Sequence, residues 1–125
     1  MTDTKPNNIK RSAEITAAYF TFLDQHIEDV VNGQVLDFLE LNQIAQALHI
    51  SHSHLSDTLQ QETGHHPCHF YDRKILNKAK SLLTDTNLSI AEIAKKLTYD
   101  PSNFGKFFKK FAGQTAGDFR RQHKK

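Results

Sequence analysis

IAEIAKKLTYDPSNFGKFFKKFAGQTAGDF, residues 90–119, repeats without a gap the pattern of LNQIAQALHISHSHLSDTLQQETGHHPCHF, residues 41–70. At this offset Ile93-Ala94 falls on Ile44-Ala45, Leu97 on Leu48, Tyr99 on Ile50 and Ser102 on Ser53. Phe104 and Phe108 fall on Leu55 and Leu59, Gly113 on Gly64, and Phe119 on Phe70. Apolar positions coincide while the polar positions between them differ, which marks one supersecondary unit used twice with two different surfaces. Each copy predicts a short helix, a tight turn and a second helix that stops at glycine: a helix-turn-helix. Small Ala45 and Ala94 let the second helix cross closely, Ile50 and Tyr99 plug the turn, and Leu55/Leu59 or Phe104/Phe108 face inward.

The rest of the chain also reads as helix. No run shows clean period-2 alternation, and Gly and Pro fall between helix-like segments, so the expected fold is all-α with about seven helices. A first helix is expected over Lys10–Val31, with Ile15, Tyr19, Phe22, Leu23, His26, Ile27 and Val30 on one stripe and Asn32-Gly33 as its stop. Residues 34–40 fit either a helical extension or an apolar crossing. Further helices are expected over Leu41–Leu48, His52–Glu62, Pro67–Leu83, Ile90–Leu97, Pro101–Ala112 and Ala116–His123. Ser89-x-x-Glu92 and Thr115-x-x-Asp118 have capping-box spacing, and Asp100-Pro101 sets a cap before a proline at the first helical position. The expected organisation is a flexible arm over 1–9, a first helix and helix-turn-helix subdomain over 10–66, a linking helix over 67–84 and a second subdomain over 85–125.

Composition bounds the function. With 125 residues, 38% hydrophobic and 24% charged, the chain is one polar domain or two very small ones that need a linking element to stabilise each other. No apolar run is long enough for a membrane span and the first ten residues are not those of a signal peptide, so no membrane association and a cytoplasmic location are expected. The net charge of +2 conceals an imbalance. Residues 1–63 hold 3 Lys+Arg against 9 Asp+Glu, hence −6, and residues 64–125 hold 13 against 5, hence +8. A basic second half points to a polyanionic partner.

The faces opposite the inward stripes agree. With Leu55 and Leu59 inside, the outer face of the first unit's second helix holds Ser53, Ser56, Asp57 and Gln60, with His52 at its start. In the second unit Phe104, Phe107, Phe108 and Phe111 form the expected inward stripe, opposite Ser102, Asn103, Lys106, Lys109 and Lys110, with Pro101 at the start. Small polar residues and lysines suit a helix in a DNA major groove, hydrogen-bonding groups meeting base edges and cations meeting phosphates. A pair of solvated helical hairpins serving a protein interface is the competing reading.

From Leu41 to Arg120 the chain resembles the AraC/XylS family of bacterial transcription regulators, whose DNA-binding module joins two helix-turn-helix units by a long helix. The resemblance rests on Ile50-Ser51-His52-Ser53-His54-Leu55-Ser56 and Glu62-Thr63-Gly64, then on Arg73–Leu83 as the linking helix. Its strongest part is Leu88–Ala94 followed by Asp100-Pro101-Ser102-Asn103-Phe104-Gly105-Lys106-Phe107-Phe108-Lys109-Lys110, Gly113 and Phe119-Arg120. It implies sequence-specific binding of double-stranded DNA by two recognition helices in successive major-groove segments, about 34 Å apart. One chain would then read an asymmetric site as a monomer. Lys106, Lys109 and Lys110 would meet phosphates or guanine edges, Ser102 and Asn103 bases or backbone, and free N–H groups at helix N-termini would clamp phosphates. RNA polymerase is a candidate second partner, no cofactor is expected, and a DNA-binding part of a larger ligand-responsive regulator is the related alternative.

Three departures from the family pattern stand out. Thr98 replaces a usual glycine in a turn one residue shorter than most, which leaves the docking angle of the second recognition helix open. Asp57 stands where arginine is common; a carboxylate there either accepts from a cytosine amino group or weakens the first unit's binding. Ala116 replaces a common proline, with local consequence only.

Other chemistry finds less support. His65-His66-Pro67-Cys68-His69 offers potential metal ligands, but the tract straddles a turn and no distant Cys/His pair completes a tetrahedral set. Protonated at mildly acid pH, these histidines would instead add positive charge near DNA. The single cysteine, Cys68, excludes an intrachain disulfide, and no phosphate loop, zinc-protease pair or nucleophile elbow argues for an enzyme.

Overall fold

The computed structural model describes residues 4–124. Among the described residues seven helices follow one another: α1 (Thr4–Val31), α2 (Leu41–Ala47), α3 (His52–Thr63), α4 (Pro67–Asp85), α5 (Ile90–Lys96), α6 (Pro101–Ala112) and α7 (Ala116–His123). No strand occurs among the described residues, so the fold is all-α as the sequence predicts. The first helix begins at Thr4, ahead of the expected Lys10. Residues 1–3 of the expected arm lie outside the described residues. The open segment 34–40 resolves as turn and extended chain rather than helix, ending at Glu40, which caps α2.

The chain divides into two compact units, one of residues up to Gln25 with Leu39–Tyr71, the other of His26–Phe38 with Asp72–Lys125. The core of the first unit comprises Ile15, Tyr19, Leu23, Ile44, Ala45, Leu55 and Leu59. Two tyrosines add long-range polar ties there: Tyr19 Oη donates to the Pro67 carbonyl at 2.9 Å and Tyr71 Oη to the Leu39 carbonyl at 2.8 Å. Each lets an aromatic ring be buried with its hydroxyl satisfied.

The core of the second unit comprises Ile27, Val30, Ile75, Leu76, Ala79, Leu83, Ile93, Ala94, Leu97, Phe104, Phe108 and Phe119. Arg120 closes α4 from outside. Its Nε donates to the Leu83 carbonyl at 2.9 Å and its Nη2 to the Thr86 carbonyl at 3.3 Å, satisfying acceptors that a helix end leaves without internal partners. Lys124 Nζ donates to the same Thr86 carbonyl at 2.6 Å.

Candidate nucleic-acid interface

The two helix-turn-helix units are built by the same backbone device. After α2, Ile50 N–H donates to the Ala45 carbonyl and His49 N–H to the Gln46 carbonyl, each at 3.0 Å. After α5, Tyr99 N–H donates to Ala94 at 2.8 Å and Thr98 N–H to Lys95 at 2.9 Å. Both are Schellman ends, whose turn residue must be left-handed. That residue is His49 (φ 64°) in one unit and Thr98 (φ 61°) in the other, where glycine would be free of strain. The second helices also end alike, at Gly64 (φ 81°) and Gly113 (φ 80°).

The turn plugs are half-buried. Tyr99 stacks on Phe107 at 5.2 Å between ring centroids, and burial, then the Asp72 carboxylate, raise its phenol above the ordinary value. The predicted four-phenylalanine stripe on α6 is only partly inward. Phe104 and Phe108 are fully buried, Phe107 is half-buried, and Phe111 is exposed at 40%. Phe111 lies near the end of α6, where a stripe continuing at helical spacing outruns the elements that cover it.

The capping chemistry corrects a second expectation. The Asp100 carboxylate accepts from the N–H groups of Ser102 at 3.0 Å and Asn103 at 3.4 Å, and Pro101 has no N–H, so these amides of the α6 N-terminus are already engaged. The N–H of His54 is taken by Ser51 and that of Glu92 by Ser89. Glu92 completes the box by accepting from Ser89 N–H, and these bonds hold its carboxyl below the ordinary range. Thr115 accepts from Asp118 N–H, but the Asp118 carboxylate pairs with Arg121 instead of returning to the cap.

All but one of the singled-out side chains are exposed. His52, Ser53, Asp57 and Gln60 on α3 are exposed, as are Pro101, Ser102, Asn103, Lys106, Lys109 and Lys110 on α6. Ser56, expected on the outer face, is half-buried, because at 100° per residue it lies on the flank of α3, about 80° from the Leu55/Leu59 midline. The two faces differ in charge. The segment Pro101–Ala112 carries three lysines and no carboxylate, whereas His52–Thr63 carries Asp57 and Glu62 and no Lys or Arg. Asp57 lines a polar concavity of the first unit with Arg11, Ser12, His54, Thr58 and Gln61. The place of Arg11 and Ser12 beside Asp57 is not legible in the sequence, since nothing in linear order links α1 to α3.

The histidine-rich tract has contacts within itself. His66 Nδ1 lies 2.9 Å from Cys68 Sγ, and the rings of His65 and His69 stack at 4.1 Å. Among the described residues no group of three or more His, Cys, Asp or Glu side chains could hold a metal ion.

The model of the helix-turn-helix domain family matches residues 44–122, more than half of the chain. The chain belongs to the AraC-type helix-turn-helix family. This membership makes it a DNA-binding transcription-regulator domain. The AraC-type chain is 33% identical over 115 residues to the uncharacterized transcriptional regulator YfiF of Bacillus subtilis (strain 168), covering 92% of itself and 35% of that protein. It is 32% identical over 118 residues to YtdP of the same strain, covering 94% of itself and 15% of YtdP. It thus spans about a third or less of the length of these relatives. Among solved structures it is similar to the C-terminal domain of AraT, a response regulator from Geobacillus stearothermophilus, with TM-score 0.76 and 28% identity over 89% of this chain and 87% of that one. The DNA-binding domain of AdpA, solved with a target DNA, shares the fold at TM-score 0.67 and 17% identity, over 89% and 90% of the two chains.

Proposed function

We propose that this chain reads a specific duplex site as a monomer, with α3 and α6 each entering a major-groove segment and α4 serving as the linking helix. The observation that carries the reading is the outer face of α6. Ser102, Asn103, Lys106, Lys109 and Lys110 are all exposed there, with no carboxylate on the helix to neutralise them, while Phe104 and Phe108 anchor its other face. Such a face offers hydrogen-bonding groups to base edges and cations to phosphates from one rigid element. The AdpA domain, of the same fold, was solved with a target DNA, which agrees with a duplex partner for this fold.

The two units are given unequal roles. α6 supplies most of the phosphate attraction through its lysines, and α3, with His52, Ser53, Asp57 and Gln60, supplies base discrimination at a lower affinity. In this reading RNA polymerase is a candidate second contact and the cytoplasm, where bacterial DNA lies, is the proposed location.

The test is fluorescence anisotropy of labelled random-sequence duplex at about 50 and 200 mM salt, followed by selection of bound sequences. Binding that falls steeply with salt, and a selected site with two short blocks about one helical turn apart, is the expected result. A single block would restrict base reading to one unit. Absence of binding to any duplex at low salt would overturn the proposal in favour of a protein-interaction role.

A further inference from the structure

Gly105 sits in the interior of α6, where glycine is less favourable than alanine because its backbone loses more freedom on folding. Packing does not demand it. A Cβ built at Gly105 meets nothing within 4 Å, in contrast to Gly117, where Arg121 and Ile90 stand at 3.6 and 3.9 Å. Backbone geometry does not demand it either, since Gly105 is not among the glycines with positive φ. The repeat supplies an independent control. The matching position of α3 is Ser56, whose side chain is accommodated half-buried on the same skeleton, so the unit tolerates a side chain there. A helix-weakening residue that neither its backbone nor its neighbours require has its cause outside the chain.

Its position indicates what that cause is. At 100° per residue Gly105 lies about 80° from the midline of Phe104 and Phe108, whereas Lys106 lies about 180° from it. Lys106 therefore points away from the core and Gly105 is on the flank, on the side shared with Ser102 and Lys109. A helix inserted in a groove has base edges at its tip and the strand backbones along its flanks.

We infer that Gly105 is a point of close approach between α6 and duplex DNA, where the missing side chain makes room for the sugar–phosphate wall of the major groove. This rests on the DNA-binding reading above. The contact is steric and independent of base sequence, because the backbone N–H of a residue within a helix is used by the helix itself.

The experiment compares the full chain with Gly105→Ala and Gly105→Ser by thermal melting and by anisotropy, on the site selected by the wild-type chain and on random-sequence duplex. Gly105→Ala is expected to raise Tm by about 3 °C. The same variant is expected to weaken binding by at least about fivefold on both duplexes, and Gly105→Ser by more. Unchanged affinity overturns the inference, a lowered Tm shows that the fold itself needs the glycine, and a loss confined to the selected site replaces the groove wall with a base edge. A wild-type chain that binds neither duplex removes the DNA reading itself, an outcome distinct from wild-type binding that the substitutions leave untouched.

Discussion

Thr98 Oγ1 donates to Asp37 Oδ1 across 3.0 Å, tying the turn of the second helix-turn-helix to the segment that follows α1. The same Oδ1 accepts the Phe38 N–H at 2.8 Å. Thr98 is a β-branched residue at φ 61°, a conformation that costs L-residues roughly 1–2 kcal/mol. The hydrogen bond returns about 0.5–1.5 kcal/mol of this, and a threonine there also restricts the unfolded chain more than glycine would. Thr98→Gly should therefore change stability by less than about 0.5 kcal/mol in the native background but stabilise an Asp37→Ala background by about 1 kcal/mol. Urea unfolding of the four chains measures the coupling, and additive effects would show that the bond does not offset the strain.

Arg120 makes a second testable tie. Its two donations to the Leu83 and Thr86 carbonyls close the end of α4. Arg120→Ala should cost about 2 kcal/mol, as expected for charge-assisted bonds to part-buried acceptors, and Arg120→Lys should recover less than half because one ammonium cannot reproduce the two-pronged geometry. Equal stability of the Lys variant and the native chain in urea would show that charge alone matters there.

Much of this architecture was legible because local chemistry and repeat agreed. Asp100-Pro101 marked the start of α6 and Gly64 and Gly113 the ends of α3 and α6, each through a backbone requirement that does not depend on distant contacts. Where burial depends on what covers a face, the wheel is insufficient: Phe111 continues the stripe yet is exposed, and Ser56, counted with the outer face, is half-buried on the flank of α3. The capping box of Glu40 and Gln43 went unread because glutamate is an unusual N-cap. The engagement of Ser102 and Asn103 N–H groups by Asp100 was implicit in the same Asp100-Pro101 motif that set the helix start. Gly105 was visible as a letter, but the empty space around it was not.

His26 gives the fold a pH dependence of definite sign. Burial, only partly opposed by the Asp29 carboxylate, lowers its imidazole below the ordinary 6.5, and its ring meets the edge of Phe38 at 5.8 Å. The unfolded chain then binds the proton more readily than the folded one. The stability contributed by neutral His26 is full above the unfolded value and is lost as pH falls from there through the lowered folded value. Stability should decline between about pH 7 and 5, and His26→Gln should flatten that decline while lowering stability at neutral pH. Thermal melts across this range decide it: parallel curves for both chains would assign the decline to other groups.

The unequal charge of the two second helices yields the sharpest test of the proposed interface. Lys109 and Lys110 are exposed on the two sides of a helix without carboxylates, so each phosphate they neutralise releases condensed counterions from the duplex. Replacing both by alanine should reduce the magnitude of the log Kd against log salt slope by about 1.8, if each meets one phosphate, and weaken binding on selected and random duplexes alike. Asp57→Asn acts differently. It removes a negative charge from the face of α3, so affinity for random duplex should rise, while any preference for a cytosine in the first block should fall because a carboxylate accepts from the cytosine amino group more strongly than a carboxamide does. An unaltered salt slope in the double lysine variant would move the phosphate contacts elsewhere on the chain. A gain in affinity without loss of discrimination in Asp57→Asn would make Asp57 a brake on binding rather than a reader of bases.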